Sequence, residues 1–414
     1  MRVTLINTTD TVGGASIACR RLLTALHNNG TQATMLVKEQ YSDNPLIQHV
    51  GWQNKLREAH HAIEKLGFLP YERDKSVRFS FSTAILGLNI AQHEAVKSAD
   101  ILHLHWVNKG FLSLHSLEQL AKTGKPIFWT LHDMWTFTGG CHYANECRNY
   151  QNQCGQCTAF LKQPAENDLS HQIWLKKRKI FAKMNLHIVT CSEWLGAAAR
   201  SASLLRDILV TAIPNPIDTN KYTPATNKTP RTDGKKTILF QAMNVNDERK
   251  GFKYLLEALV ILRQKHPNIA SQVRLLVFGK SKPETFAGID IPVETLGLLH
   301  SEEAIIAAYQ QADVFVIPSL EENLPNTIME SLACGVPVVA FGSGGIPEMV
   351  KTGYNGYLAN TKNAADLADG IAFTLDNPHR QQELARHARQ KALDEYAEKV
   401  VAARYQKLYT DANF

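Results

Sequence analysis

The side chains best suited to chemistry fall into a few clusters along a chain of 414 residues. In PSLEENLPNTIMESLACGVPVVA (318–340), Glu322 and Glu330 stand eight positions apart, with Pro325 between them. Proline lacks the N–H that a helix interior needs, so Glu322 is expected in a loop after a strand. Asn326 is expected to cap a helix carrying Glu330 near its start, with Gly335 closing it and Pro337 leading into the next strand. Carboxylates in loops at strand C-termini can accept hydrogen bonds from sugar and ribose hydroxyls; an isolated pair would read as two solvated acids. Upstream, NDERKGF sets Arg249 and Lys250 just before Gly251, where a helix begins. Two cations beside helix N-terminal amides suit a pyrophosphate, although alone they would equally read as a solvated basic turn. Downstream, GSGGIPEMV (342–350) is a glycine-rich loop entering a helix, with Glu348 in its first turn. Glycine there lets backbone approach a phosphate or sugar closely.

The first half carries its own candidates. His132 and Asp133, in TLHDMW, lie just past an apolar run, at the end of a strand where a crevice would open. A lone histidine is usually structural, but this placement favours function, with Asp133 beside it to orient or cap. Gly13 and Gly14 fall in the first strand-to-helix turn, where they read either as a plain tight turn or as an approach point for phosphate or acceptor. His103 and His105 alternate along a strand and read as structural. Four of the seven cysteines, Cys141, Cys147, Cys154 and Cys157, sit within 17 residues. Their composition suits a structural four-thiolate zinc site, although only Cys154 and Cys157 have the tight knuckle spacing; free or disulfide-capable thiols are the alternative. Finally, IWLKKRKIFAKM (173–184) sets Lys176, Lys177, Arg178, Lys179 and Lys183 among apolar residues. It reads either as an amphipathic helix with a solvated basic face or as a surface for anionic lipid.

These residues need a scaffold, and the pattern supplies one. RVTLIN (2–7), residues 33–38, ILHLHW, IFWTLH and LHIVTCS read as strands, separated by helical segments at 13–28, 53–68, 172–184 and from Glu193; residues 69–82 read as irregular. A Pro-, Thr- and Asn-rich stretch at 211–234 interrupts the alternation. It restarts at KTILFQAM and continues through VRLLVFG, ADVFVIPS and VPVVAF, with helices at 251–265, 301–311 and around 326–334. Strand–helix alternation of this kind predicts parallel sheets with helices on both faces. The expected domains are 1–212, with a cysteine-rich insert at 139–160, then 213–390, and a C-terminal helix over 391–414 packing back on the first domain.

Hydrophobic residues make up 44% of the chain and charged residues 20%, which excludes a disordered or coiled-coil chain. A net charge of +6, from 45 Lys+Arg and 39 Asp+Glu, suits an anionic small molecule or membrane surface and is too slight to indicate nucleic acid. There is no apolar run of about 18 residues and no signal pattern before the first strand, so a soluble, cytoplasmic protein is expected.

Taken together, PSxxE-x7-E-SLACGxPVVA, with ERKG before it and GGIPE after it, resembles the retaining, GT-B-fold glycosyltransferases of family 4. GGAS after the first strand, DILHLHW, TLHDMW and IPNPID extend the resemblance over nearly the whole chain, and the cysteine run after LHD resembles the colanic-acid and exopolysaccharide branch. The resemblance implies two doubly wound Rossmann-like domains facing across a cleft. It implies that Glu322 binds donor-sugar hydroxyls, Glu330 binds the ribose and Lys250 neutralises the leaving diphosphate. Arg249, Gly279, Asn323, Leu324, Gly344, Gly345 and Glu348 would line the donor site, with His132 at the reacting centre and Gly13, Gly14 and Asp133 on the acceptor side. Val245 stands where the family usually has an arginine, and Asn323-Leu324-Pro325 replaces the commoner Gly-Phe-Gly. No Asp-x-Asp pair occurs in the chain, so transfer is expected to be metal-independent, with Lys250 and Arg249 stabilising the leaving group. The expected partners are a UDP- or GDP-linked sugar and a lipid-linked oligosaccharide, with the protein at the inner face of the membrane. The rival readings are a nucleotide-sugar epimerase on the same fold and a catalytically silent scaffold in a polysaccharide assembly complex. A dinucleotide-dependent oxidoreductase is disfavoured, because no GxGxxG follows the first strand.

Overall fold

The computed structural model describes residues 1–51, 62–226 and 234–412. The chain forms two compact units: Met1–Pro214 together with the stretch from Val401 onward, and Asn215–Val400.

The first unit is built on seven strands: β1 (Arg2–Thr9), β2 (Gln32–Glu39), β3 (Ile47–His49), β4 (Ile101–Leu104), β5 (Ile127–Leu131), β6 (Leu186–Thr190) and β7 (Val210–Ala212). They pair in the order β3-β2-β1-β4-β5-β6-β7, every pairing parallel. The second unit has six strands: β8 (Lys236–Asn244), β9 (Val273–Lys280), β10 (Val293–Thr295), β11 (Val314–Ile317), β12 (Val338–Phe341) and β13 (Gly356–Ala359). Their order is β10-β9-β8-β11-β12-β13, again all parallel. Parallel strands are covered on both faces, so their sequences are continuously apolar: β4, β5, β6, β11 and β12 are buried at every residue.

In each sheet the strand order reverses once, between β1 and β4 and between β8 and β11. Chains leave such a pair toward opposite faces, which opens a crevice at the strands' C-terminal ends. Gly13 follows β1 and His105 follows β4; Arg249 and Lys250 follow β8 and Glu322 follows β11. His132 follows β5, the next strand along.

Helices form where the sequence provides caps. Asp168 accepts from the N–H groups of Ser170 and His171 to start Leu169–Phe181, and Ser301 accepts from Ala304 to start Glu302–Gln311. The last helix, Glu398–Asp411, buries Val401, Ala402, Tyr405 and Tyr409 in one cluster with Val3, Leu5, Phe128 and Val189 of the first sheet. The helical pattern read over 53–68 falls partly outside the described residues; 62–68 are helical. Residues 227–233 of the interrupting stretch also lie outside them. Among the described residues no helix is long and apolar enough to cross a membrane.

Two sequence readings meet the structure here. The basic segment at 173–184 is helical over Leu169–Phe181, but its apolar residues Ile173, Trp174, Ile180 and Phe181 are all buried. Lys177 is buried with them, its ammonium 3.6 Å above the Trp135 ring and donating to the carbonyls of Trp135 and Thr138, the latter at 3.0 Å. Burial lowers its pKa to about 7. The exposed remainder, Lys176, Arg178 and Lys179 on the helix and Lys183 just past it, forms the solvated basic face, one of the two sequence readings. The zinc staple finds no support. Among the described residues no group of three or more His, Cys, Asp and Glu side chains is arranged to hold a metal ion. Cys141, Cys147, Cys154 and Cys157 are all free thiols, with Cys147 exposed and Cys154 buried. Cys154 Sγ accepts the Gly139 N–H at 3.1 Å, and burial pushes its thiol pKa up to about 12.

Candidate functional site

In the second unit, backbone contacts tie the loops after β8, β11 and β12 together. The Leu320 N–H donates to the Arg249 carbonyl at 2.8 Å. Gly251 adopts φ 68°, and a Cβ there would run into the Pro318 carbonyl, so both the turn and the close approach demand glycine. On the other side, the Gly345 N–H donates to the Glu322 carbonyl at 3.2 Å. Gly344, at φ 57°, lies so close to that same carbonyl that no side chain fits. Glu322 is thus clamped by backbone before any side chain is considered.

Glu322 is 8% exposed, and its carboxylate meets two cations. Lys250 Nζ lies 2.6 Å from Glu322 Oε1, and Arg249 Nη1 is 3.4 Å from the same oxygen and 3.0 Å from the Glu321 carbonyl. Burial raises the Glu322 pKa, but Lys250 and Arg249 more than offset it and hold the carboxyl below its usual value. Next to it, burial raises the Glu321 pKa. As read from the sequence, the two cations precede Gly251; they lie in a single 3-10 turn, Glu248–Lys250, which the Asp247 side chain caps by accepting the Arg249 N–H at 3.0 Å. The following helix, Phe252–Lys265, starts only after Gly251.

Glu330 has a different partner. It is the fifth residue of the helix Asn326–Ala333, whose N-cap is Pro325 in place of Asn326, so it sits one residue deeper than the sequence suggested. It is buried, and Glu330 Oε2 is 3.1 Å from the hydroxyl of Tyr309, which lies equally close to the Thr327 carbonyl. Burial, then the Glu330 charge, holds the Tyr309 hydroxyl pKa well above its ordinary value. The sequence offered no pointer to Tyr309, which reads there as one more apolar position of Glu302–Gln311. Asn323 and Leu324 are buried beside Glu322, and Glu348 is exposed. At the end of β9, Gly279 packs against the Ala242 carbonyl, where a Cβ would collide.

The first unit holds a neutral counterpart. His132 Nε2 is 3.0 Å from His105 Nδ1, and its own Nδ1 is 3.7 Å from Cys191 Sγ. Burial lowers the His132 pKa to about 4, against an opposing pull from Asp133. Asp133 works in another direction. Its Oδ1 accepts the Trp135 N–H at 2.8 Å, while Oδ2 accepts from Trp106 Nε1 at 2.9 Å and lies 2.7 Å from His142 Nδ1. Burial would raise its pKa, but His142 and these hydrogen bonds leave it below the usual carboxylate range. His142 in turn reaches Ser82 Oγ at 2.9 Å. Trp106 and His142 were missed in the sequence, since their link to Asp133 exists only in space. Gly13, at φ 91°, is the N-cap of Gly14–Asn28 and needs glycine for its backbone conformation alone; a Cβ there would touch nothing. Behind it, the buried Asn7 donates from Nδ2 to Ser16 Oγ at 2.9 Å and accepts the Trp106 N–H at 2.8 Å.

The comparisons agree with this architecture. Residues 12–221 match the family described as Glycosyltransferase Family 4, and residues 235–377 match Glycosyl transferases group 1. The chain is 25% identical over 315 residues to the putative colanic acid biosynthesis glycosyl transferase WcaC of Escherichia coli, covering 72% of this chain and 75% of that one. It is 32% identical over 161 residues to the N,N'-diacetylbacillosaminyl-diphospho-undecaprenol alpha-1,3-N-acetylgalactosaminyltransferase of Campylobacter jejuni, but this match spans 39% of the chain and only 41% of the relative. Among solved structures, HepE of Anabaena in complex with UDP-glucose aligns with a TM-score of 0.62 and 14% identity over 99% of both chains. Two parallel-sheet, Rossmann-like units are the α/β architecture of the GT-B glycosyltransferases. With half of its length matched by one family and most of its second unit by the group 1 transferases, this chain belongs to glycosyltransferase family 4.

Proposed function

We propose that the chain is a retaining glycosyltransferase that moves a sugar from a UDP- or GDP-linked donor onto a lipid-linked precursor of a cell-surface polysaccharide. The observation that carries this reading is the clamped Glu322 carboxylate, 2.6 Å from Lys250 and flanked by Arg249 at the C-terminal ends of β8 and β11. In the reaction, the bond from the anomeric carbon to the diphosphate oxygen breaks and a bond from an acceptor hydroxyl oxygen to that carbon forms. The departing diphosphate gains negative charge, which Lys250 and Arg249 stabilise, while the acceptor's proton leaves with the diphosphate or solvent. Because the diphosphate competes for Lys250, the Glu322 carboxylate is released to accept hydrogen bonds from the sugar hydroxyls. Glu330 is assigned to the ribose, and Asn323, Leu324, Gly344 and Gly345 to the walls around the sugar. His132 is assigned to the reacting centre. Retention follows from family membership, and metal independence from two cations at the diphosphate position in a chain without an Asp-x-Asp pair.

Three similarities support the substrate classes. HepE was solved in complex with UDP-glucose, the Campylobacter relative is named for an undecaprenol-linked acceptor, and WcaC is named for colanic acid. A thermal-shift screen against UDP- and GDP-linked sugars tests the donor site, because a ligand that binds only the folded state raises the melting temperature. A donor that shifts wild type but not Glu322→Ala supports the assignment; equal shifts in both remove it. Transfer that persists in EDTA supports a metal-free leaving group, and prompt loss restored by Mg²⁺ overturns it.

A further inference from the structure

His105 reads in the sequence as a structural strand residue, yet the structure sets it against His132. A hydrogen bond between two neutral imidazoles contains a single proton, so one ring donates and the other accepts. Burial favours the neutral form of both rings: it takes His132 to about 4, and His105 is held well below its ordinary value by burial and then by its histidine neighbours. The far end of His105 decides which ring donates. His105 Nε2 is buried and has no hydrogen-bond partner among the described residues. If Nε2 carried the proton, that N–H would be a buried donor with nothing to receive it, the rarest and costliest kind of orphan. With the proton on Nδ1, Nε2 leaves only an unfilled lone pair, and Nδ1–H donates to His132 Nε2 at 3.0 Å. The ring is also held in place. It lies between the rings of His103 and His132, at centroid distances of 4.6 Å and 5.3 Å. His103 is itself pinned by the Tyr409 hydroxyl at 2.6 Å and Thr130 Oγ1 at 2.8 Å. The His105 backbone is fixed by Ile6, whose carbonyl accepts its N–H at 2.9 Å, and by Trp129, whose indole donates to its carbonyl at 2.9 Å.

We infer that His105 is a positioning residue: its Nδ1–H occupies His132 Nε2 and so holds His132 in the Nδ1–H tautomer. The catalytic consequence rests on the reading of His132 proposed above. A His132 with Nε2 already engaged does not act as a general base through Nε2; it carries a hydrogen-bond donor, Nδ1–H, which faces the weak acceptor Cys191 Sγ at 3.7 Å and which a substrate oxygen would take over. That fits a reaction whose main demand is stabilising charge on the leaving side.

The test uses the full chain with histidine rings labelled with ¹⁵N, read by long-range proton–nitrogen correlation at neutral pH. Both His105 and His132 are expected as Nδ1–H tautomers. His105→Leu should shift His132 toward the Nε2–H form. It should also lower kcat roughly tenfold, the scale of losing an orienting partner, with donor KM unchanged. His105→Asn, whose side-chain amide can donate from the position of Nδ1, should keep the His132 tautomer and recover most of the rate. Wild-type His132 protonated on Nε2, or an unchanged His132 tautomer in His105→Leu, overturns the inference. A shifted tautomer with unchanged kcat upholds the link between the two rings and removes His132 from the reacting centre instead. A structural role alone would alter stability in both variants without separating Leu from Asn.

Discussion

The two units solve opposite electrostatic problems. In the second unit a buried carboxylate is kept charged by two cations, and glycine-only backbone contacts hold the loops that carry them. In the first unit, histidines that could carry charge are kept neutral by burial and linked ring to ring. On the function proposed above, the second-unit site would receive a diphosphate and needs cations ready at the outset, whereas the first-unit site would lie beside the reacting sugar and gains from groups that add no competing charge. The contrast also predicts different sensitivities. The second unit should fail when a charge is deleted, and the first when a hydrogen-bond pattern is changed.

The largest effect should come from Glu322→Ala, which removes the carboxylate both cations face. Turnover should fall by about 100-fold or more, the scale of losing a preorganised electrostatic contact. Donor-consumption assays with circular dichroism as a folding control check it, and wild-type rates in a folded variant would erase the contrast from the charged side. Lys250→Met should cost about 100-fold in kcat by the same reasoning. Its nucleotide-diphosphate affinity, measured calorimetrically, should fall while that of His132→Ala stays near wild type. Equal losses of affinity in both variants would show that the two units do not divide the work.

Acid stability sharpens the comparison from the other side. Burial lowers the pKa of His103 to about 3 and that of His132 to about 4, both from an ordinary value near 6.5. Below that ordinary value the unfolded chain binds protons that the folded chain does not, so the first unit loses stability as pH falls from 6.5 toward 4. The slope is about 1.4 kcal/mol per pH unit for each such group. Glu322, lowered from 4.5, stabilises the second unit above that pH and loses its contribution only as pH falls further. All six tryptophans lie between Trp52 and Trp194, so indole fluorescence reports the first unit alone. Its thermal midpoint should drop between pH 6.5 and 4, ahead of the circular dichroism change from the second unit, and coincident shifts would contradict the expected order. The smallest effect belongs to Tyr309→Phe, which removes one hydrogen bond to Glu330. It should cost about 1 kcal/mol of stability and weaken nucleotide binding slightly. No change in either denaturant midpoint or affinity would detach Tyr309 from the site.

Much of this was legible locally. Continuous apolar runs alternating with capped helices predicted parallel sheets, and β4, β5, β11 and β12 lie where those runs were read. The positions of Arg249, Lys250 and Glu322 after strand ends followed from the same alternation. Errors came where a residue's meaning depended on what lay across from it. Lys177 looked like one of five surface cations, but it points inward onto Trp135.

The amino-acid sequence by itself determined the class of the fold, the strand ends at which chemistry could occur, and the glycines without which the loops around Glu322 could not close. Those properties depend on backbone preference and on the apolar period of single segments. Only the tertiary structure decided that Lys250 pairs with Glu322 across 72 residues, that Tyr309 meets Glu330, and that His105 rather than Asp133 touches His132 Nε2. Hydrogen bonds and burial belong to pairs of groups brought together by topology, and no spacing along one strand encodes which partner the neighbouring strand will present.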